Sequence, residues 1–155
     1  MNIKFTIEGQ PVAKGRPRIL RNGRAYTPKK TKDYQDLVKW SYKGEKFEGA
    51  IGIEIELYYG ISKTTKLKKD KLVELLKENG VNTEGSKSEL WVRVCEKNIV
   101  KAILKPDLDN VAKAILDALN GIAYIDDNQV VELIVRKKRS VNPRAEVELY
   151  EVEEI

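Results

Sequence analysis

The sequence predicts an α+β fold: a small mixed sheet of about four strands, two principal helices and an inserted helical hairpin. Three observations predict it. Apolar and polar residues alternate in four separated stretches, the period of a half-buried strand. Two other stretches repeat their apolar residues at three- and four-residue spacing, the period of a helix packed on one face. Between residues 62 and 103 the helical spacing continues but is broken by glycines, which sets that segment apart from its surroundings.

Taken in chain order, Ile3, Phe5 and Ile7 alternate with Lys4, Thr6 and Glu8 and predict a first strand. A loop rich in cations, glycine and proline follows. Thr31 to Tyr42 then places Tyr34, Leu37, Val38 and Tyr42 at helical spacing, with Thr31 as the expected cap. Ile51, Ile53, Ile55, Leu57 and Tyr59 alternate with Gly52, Glu54, Glu56 and Tyr58, the clearest strand in the chain and an expected interior one. Val111 to Asn120 predicts a helix that Gly121 stops, with Val111, Ala112, Ile115, Leu116 and Leu119 as its buried stripe. Val130 to Arg136 and Ala145 to Val152 supply two further strands, and Glu146, Glu148 and Glu151 fall on the solvated side of the last.

At 155 residues and 41% hydrophobic content, the chain has enough apolar side chain for one ordinary domain with a real core. No run approaches the roughly 18 consecutive apolar residues of a membrane span, and Met1-Asn2-Ile3-Lys4-Phe5-Thr6 lacks the apolar centre of a secretory signal, so the expected compartment is the cytoplasm. The single cysteine, Cys95, can form no internal disulfide and no zinc site by itself, and reads as a small buried residue. Histidine is absent, which excludes Ser-His-Asp and Cys-His nucleophiles, histidine-ligated zinc and histidine acid–base nucleases. Carboxylate, lysine and metal chemistry are left.

The net charge of +5 is unevenly spread. Lys14, Arg16, Arg18, Arg21, Arg24, Lys29, Lys30 and Lys32 occupy the loop after the first strand with no carboxylate between Glu8 and Asp33. Arginine forks and lysine ammonium groups suit phosphates, and Tyr26-Thr27 adds hydrogen-bonding and stacking capacity, so this loop is the expected polyanion grip.

The segment 62–103 encodes a helix with a Leu-x-x-Leu-Leu-like pattern in Leu72-Val73-Glu74-Leu75-Leu76, a stop at Gly80-Val81 and then Thr83-Glu84-Gly85-Ser86-Lys87-Ser88-Glu89-Leu90 leading into a second helix. This resembles the SAP motif, a helix–extension–helix module. The resemblance implies an auxiliary DNA contact through Lys87 and Arg93, with Lys66, Lys68, Lys69 and Lys71 preceding them.

Carboxylates collect farther on, in Asp107 and Asp109 at the helix entrance and in Asp126-Asp127 after it. Pro106 helps to stop any helical run before Asp107. Asp109, Lys113 and Asp117 follow at i, i+4 and i+8 on roughly one face; Lys113 is thereby near the acids, while Asp117 reads as structural. Adjacent residues on a strand point apart, so one of Asp126 and Asp127 is expected at a metal and the other at capping work. Hard oxygen ligands suit Mg²⁺, with Mn²⁺ as a substitute. A metal-free acidic turn is the alternative.

Lys105-Pro106-Asp107-Leu108-Asp109-Asn110 with Lys113, then Asp117-Ala118-Leu119-Asn120-Gly121 and Asp126-Asp127-Asn128-Gln129-Val130, resembles the RusA-type Holliday junction resolvases. Gly9-Gln10-Pro11-Val12-Ala13-Lys14-Gly15-Arg16-Pro17-Arg18 and Tyr26-Thr27-Pro28-Lys29-Lys30-Thr31 extend the likeness to the amino terminus. The resemblance covers roughly 1–60 and 104–150, and the expected domains are a nuclease domain made of 1–61 and 104–155 with 62–103 as the insertion. It implies Asp107, Asp109 and Asp127 as metal-binding catalytic carboxylates, Lys113 as the catalytic lysine, and Asn110 and Asp126 as their neighbours. It also implies a homodimer, in keeping with the two-fold symmetry of a four-way junction, and Mg²⁺-dependent cleavage of branched DNA in recombination and repair. A structure-selective DNA-binding protein that does not cut and a less selective flap nuclease are the competing expectations.

Overall fold

The computed structural model describes residues 1–16 and 18–154; Pro17 and Ile155 lie outside them. Asn2–Glu8 forms β1. Where composition predicts only coil, the basic loop folds a small hairpin, Arg18–Ile19 (β2) against Ala25–Tyr26 (β3). Its cause is local: Gly23 takes φ +81°, its amide donates to the Leu20 carbonyl at 2.9 Å, and the Leu20 amide donates to the Arg24 carbonyl at 2.8 Å. This three-residue connection needs a left-handed residue at its end, which glycine adopts without steric cost.

Lys29–Ser41 forms α1, and here the expected cap is corrected: Pro28 precedes the helix and makes no side-chain cap bond. Proline starts a helix well because its φ is already helical and it has no amide to satisfy. Thr31 instead sits inside the first turn, 2% exposed, and its hydroxyl accepts from the Gly15 amide at 2.9 Å. It pins the basic loop to the helix. Thr31, Tyr34 and Val38 face the core, whereas Leu37 lies outside that stripe and is exposed.

Ile51–Tyr59 (β4), Lys69–Glu78 (α2), Lys87–Glu96 (α3) and Leu108–Leu119 (α4) follow, then a 3₁₀ turn at Asp127–Gln129, Val130–Arg139 (β5) and Arg144–Glu151 (β6). The main sheet has the order β1-β6-β4-β5. β4 runs antiparallel to β6 and parallel to β5. A parallel pair needs a long crossover, and α4 lies in that connection together with α2 and α3. The predicted α+β class with a mixed four-stranded sheet is therefore what forms.

Every apolar side chain of the β4 alternation, Ile51, Ile53, Ile55, Leu57 and Tyr59, is fully buried. The four aliphatic side chains each contribute about 1.5–3 kcal/mol by leaving water. They pack with Phe5, Ile7, Val147 and Leu149 from the flanking strands and with Tyr34, Val38, Val111 and Ile115 from α1 and α4, so one sheet face carries the core. The other face is a charged surface where Arg136 bridges Glu54 and Glu56, the latter at 2.7 Å. Gly52 makes room there for Tyr150: a Cβ would lie 2.3 Å from that ring, which would have to shift.

α2 and α3 build a second cluster of Leu72, Leu76, Leu90, Trp91, Val94 and Cys95, separate from the sheet core. Gly80 at φ +68° reverses the chain after α2, and the Ser86 hydroxyl caps α3 by accepting from the Glu89 amide at 3.3 Å. The pair joins the sheet through Glu96, whose carboxylate accepts from the Val141 amide at 2.7 Å, and through Arg139 stacked 5.7 Å from the Trp91 ring.

Candidate active site

α4 begins three residues earlier than the apolar periodicity indicates, with Asp107 at its amino-terminal cap. Asp109 and Asn110 therefore lie inside the first turn instead of on a turn before it. The Asp107 carboxylate makes no cap bond to the helix and is exposed. Both acids sit at the positive end of the helix, where a negative charge is favoured. The buried stripe of α4 is Val111, Ala112, Ala114, Ile115, Ala118 and Leu119, and Leu116 is half-buried at its border.

Burying that stripe against the sheet turns the opposite edge of α4 toward β5. An open pocket of about 450 Å³ lies there, lined by Asp109, Lys113, Asp117 and Asp127 with Leu108, Leu116, Leu133 and Val135 among its apolar walls. Helical spacing supplies the first three, and the chain's return after Gly121 supplies the fourth. Asp107 does not line this pocket. Among the described residues no group of three or more Cys, Asp or Glu side chains could by itself hold a metal ion.

Asp126 and Asp127 are divided by a 3₁₀ turn and not by strand alternation. Asp126 caps the turn: its carboxylate accepts from the Asn128 amide at 3.4 Å, and the Gln129 side chain accepts from the Asp126 amide at 3.1 Å. Gln129 also donates to the carbonyls of Phe47 and Gly49, which locks this turn to the chain before β4. Asp127 is thereby held in the pocket wall. A hydrogen bond with the Asp126 carboxyl, then burial and the charges of Asp126 and Asp117, push the Asp127 pKa above the ordinary carboxylate value. Crowded acids with an elevated pKa are what a cation relieves.

Asp117, which spacing alone assigns a structural role, also lines this pocket. Its carboxylate forms an ion pair with Lys14 of the basic loop, 103 residues away. The Lys14 amide also donates to the Asn110 carbonyl at 3.0 Å. The loop is thus tied to α4 at two points, and no local signal could have revealed a partner so distant in sequence.

A second groove of about 700 Å³ is lined by Arg16, Arg18 and Lys30 of the loop and by Lys105, together with Gly15, Thr31 and Pro106. Arg21 and Arg24 project from the hairpin and are exposed. Lys29 forms an exposed ion pair with Asp33 at 3.1 Å. Lys87 is exposed on the first turn of α3, whereas the Arg93 guanidinium donates to the carbonyls of Asn82 and Glu84 at 2.7 and 2.9 Å and so fastens the extended link to the helix.

The acidic pocket with its lysine offers hard oxygen donors, and the cationic groove offers groups that suit phosphates. Residues 8–150 match the family described as Endodeoxyribonuclease RusA. The chain belongs to the RusA family. As a RusA endodeoxyribonuclease it is an enzyme of a family that acts on Holliday junction DNA and depends generally on divalent metal. It is also 36% identical over 157 residues to Uncharacterized protein YqaN of Bacillus subtilis (strain 168), a similarity spanning 97% of this chain and 96% of that protein. Among the described residues no helix is long and apolar enough to cross a membrane.

Proposed function

We propose that this protein is a Mg²⁺-dependent endonuclease that resolves four-way DNA junctions in recombination and repair, working in the cytoplasm as a homodimer. The observation that carries the reading is the RusA match together with Asp109, Lys113 and Asp127 meeting in one pocket beside the cationic groove. The donor chemistry fits the ion: hard carboxylate oxygens, a pKa raised by acid crowding, and a pocket open enough for waters and a phosphate to complete the shell. Asp109 and Asp127 are its proposed holders, with Asp107 joining from the cap as the resemblance implies. When bound, the ion polarises the scissile phosphate and lowers the pKa of a water that attacks it.

The chain's own residues do the remaining work. Lys113, one turn along α4 from Asp109, offers its ammonium to charge developing on the phosphate or the leaving oxygen. Asp126 holds Asp127 in place through the capped turn, and Asn110 anchors the basic loop through its carbonyl. Arg16, Arg18, Arg21, Arg24 and Lys30 grip the backbone of the arms, with Lys29 at the edge of that surface, and affinity falls as salt rises. The α2–α3 pair is a SAP-like module that adds a contact through Lys87, while Arg93 maintains its fold. For the dimer, β5 offers the seam: it is an edge strand with Val131 59% and Ile134 41% exposed.

The test is cleavage of a synthetic four-way junction, a flap and a linear duplex with Mg²⁺, beside binding in EDTA. Asp109→Asn and Asp127→Asn should abolish cutting and retain junction binding, and Lys113→Ala should slow cutting about a hundredfold or more. Equal rates on junction and linear duplex would sink the resolvase reading.

A further inference from the structure

The β2–β3 hairpin presents apolar side chains where folding does not call for them. Ile19 is 77% exposed, Leu20 48% and Tyr26 42%. A two-stranded hairpin with no packed face is marginal in water, and exposed apolar residues at its tip worsen solubility without adding a core. Pairing sets Arg18 opposite Tyr26 and Ile19 opposite Ala25, so an arginine and a tyrosine share one face while the aliphatic pair occupies the other. The tip between them carries Arg21 and Arg24.

This surface has no carboxylate of its own between Glu8 and Asp33. A second copy of the same hairpin would be repelled by it, and a polyanion is attracted. The position is also specific: Arg18 lines the same groove as Lys105 and Pro106, the residues directly before Asp107. The hairpin therefore rises from the same cationic groove that leads to the helix bearing the catalytic acids.

We infer that Ile19 and Leu20 form a wedge that enters the base stack at a DNA branch point, while the neighbouring arginines hold the flanking phosphates. Apolar side chains inserted between base steps replace part of the lost stacking, and the cost of opening a step is lowest where stacking is already interrupted. A branch point offers such steps and linear duplex does not. Phosphate contacts on the same hairpin supply affinity without discrimination, so the apolar tip supplies preference for branched over linear DNA. Tyr26, on the arginine face, is placed to stack on an exposed base. The inference rests on the junction-cutting reading above and names the substrate feature recognised.

The experiment uses the full chain in EDTA with a four-way junction carrying 2-aminopurine at the crossover and a linear duplex carrying it at the matching position. Wild-type protein should raise the junction's fluorescence, as a base leaves its stack, and leave the duplex signal low. Ile19→Ser/Leu20→Ser should lose that rise and lower the ratio of junction to duplex affinity about tenfold. Arg21→Ala/Arg24→Ala should weaken both DNAs alike, with a shallower salt dependence. Circular dichroism melting of each variant reports folding, which an exposed hairpin should not disturb. Preference for the junction without any fluorescence rise, or a full rise in the Ile19→Ser/Leu20→Ser protein, overturns the wedge and leaves the resolvase reading standing. Equal wild-type affinity for junction and duplex overturns both.

Discussion

Lys14 and Asp117 join the two halves of the candidate site, since one belongs to the basic loop and the other to the acidic pocket. Both side chains are about one quarter exposed, so the pair adds less than about 1 kcal/mol to stability. Its consequence lies in charge placement. Asp117→Asn frees Lys14 for phosphate and removes a negative charge from the groove's border, so DNA binding in EDTA should tighten severalfold while cleavage with Mg²⁺ falls. Fluorescence anisotropy and a nicking assay read the two opposite signs; a drop in both would mean that the pair only supports the fold. Asp126 acts on Asp127 in a comparable way. Because the Asp127 pKa is raised in the folded, cation-free protein, the native state holds a proton that the unfolded chain has already released just above the usual carboxylate range. The stability contributed is present at low pH and lost as pH rises through the raised value. Asp126→Asn keeps an acceptor for the Asn128 amide and removes the neighbouring charge, so a carbon-detected NMR titration in EDTA should show Asp127 returning toward its ordinary pKa.

Elements obey local rules here until a partner from elsewhere intervenes. The β4 alternation is strong enough that any sheet accepting it must bury all five of its apolar side chains, and the sheet does. α4 is similarly determined by its stripe, though its first turn is not: Leu108 is exposed, and the carboxylates there give no apolar period to read. The small β2–β3 hairpin was legible in Asn22-Gly23, a turn signal that the surrounding arginines and prolines obscure. The α2–α3 pair has its own apolar cluster, and this separation has a measurable outcome. Leu76 is fully buried in that cluster, so Leu76→Ala should cost about 2–5 kcal/mol. Hydrogen exchange should show α2 and α3 amides losing protection while β4 and β6 keep theirs. Uniform loss across both would show one cooperative unit.

Across the molecule, charge is segregated by face. The sheet surface opposite the helices neutralises itself through Arg136 with Glu54 and Glu56, Lys138 with Glu56, and Arg144 with Glu146. The cations of the amino-terminal loop have fewer such partners among the described residues: Lys14 pairs with Asp117 of the acidic pocket and Lys29 with Asp33, while Arg16, Arg18 and Lys30 line a groove of their own. On the proposed reading, that arrangement draws DNA toward the side that bears the acidic pocket. The β5 edge leaves apolar residues on both of its faces, and pairing with a second copy would cover them and set two pockets in one assembly. Val131→Lys/Ile134→Lys should therefore sediment as a monomer and lose paired nicking of a junction more than single nicking. A variant that stays dimeric places the seam elsewhere.

Residue order by itself determined the strand alternation, the helix stripe, the absence of imidazole chemistry and the RusA pattern of acids, because each of these is a local or compositional property. It placed Asp109 and Lys113 on one helix face, since four residues bring side chains together whatever surrounds them. Only the tertiary structure decided which acids meet. Asp127 enters the pocket because a capped 3₁₀ turn aims it there, Asp107 stays outside it at the helix cap, and Asp117 acquires Lys14 across 103 residues of sequence. Those outcomes depend on how the core stacks α4 on the sheet and where the loop is pinned by Thr31, and packing of that kind has no period along the chain.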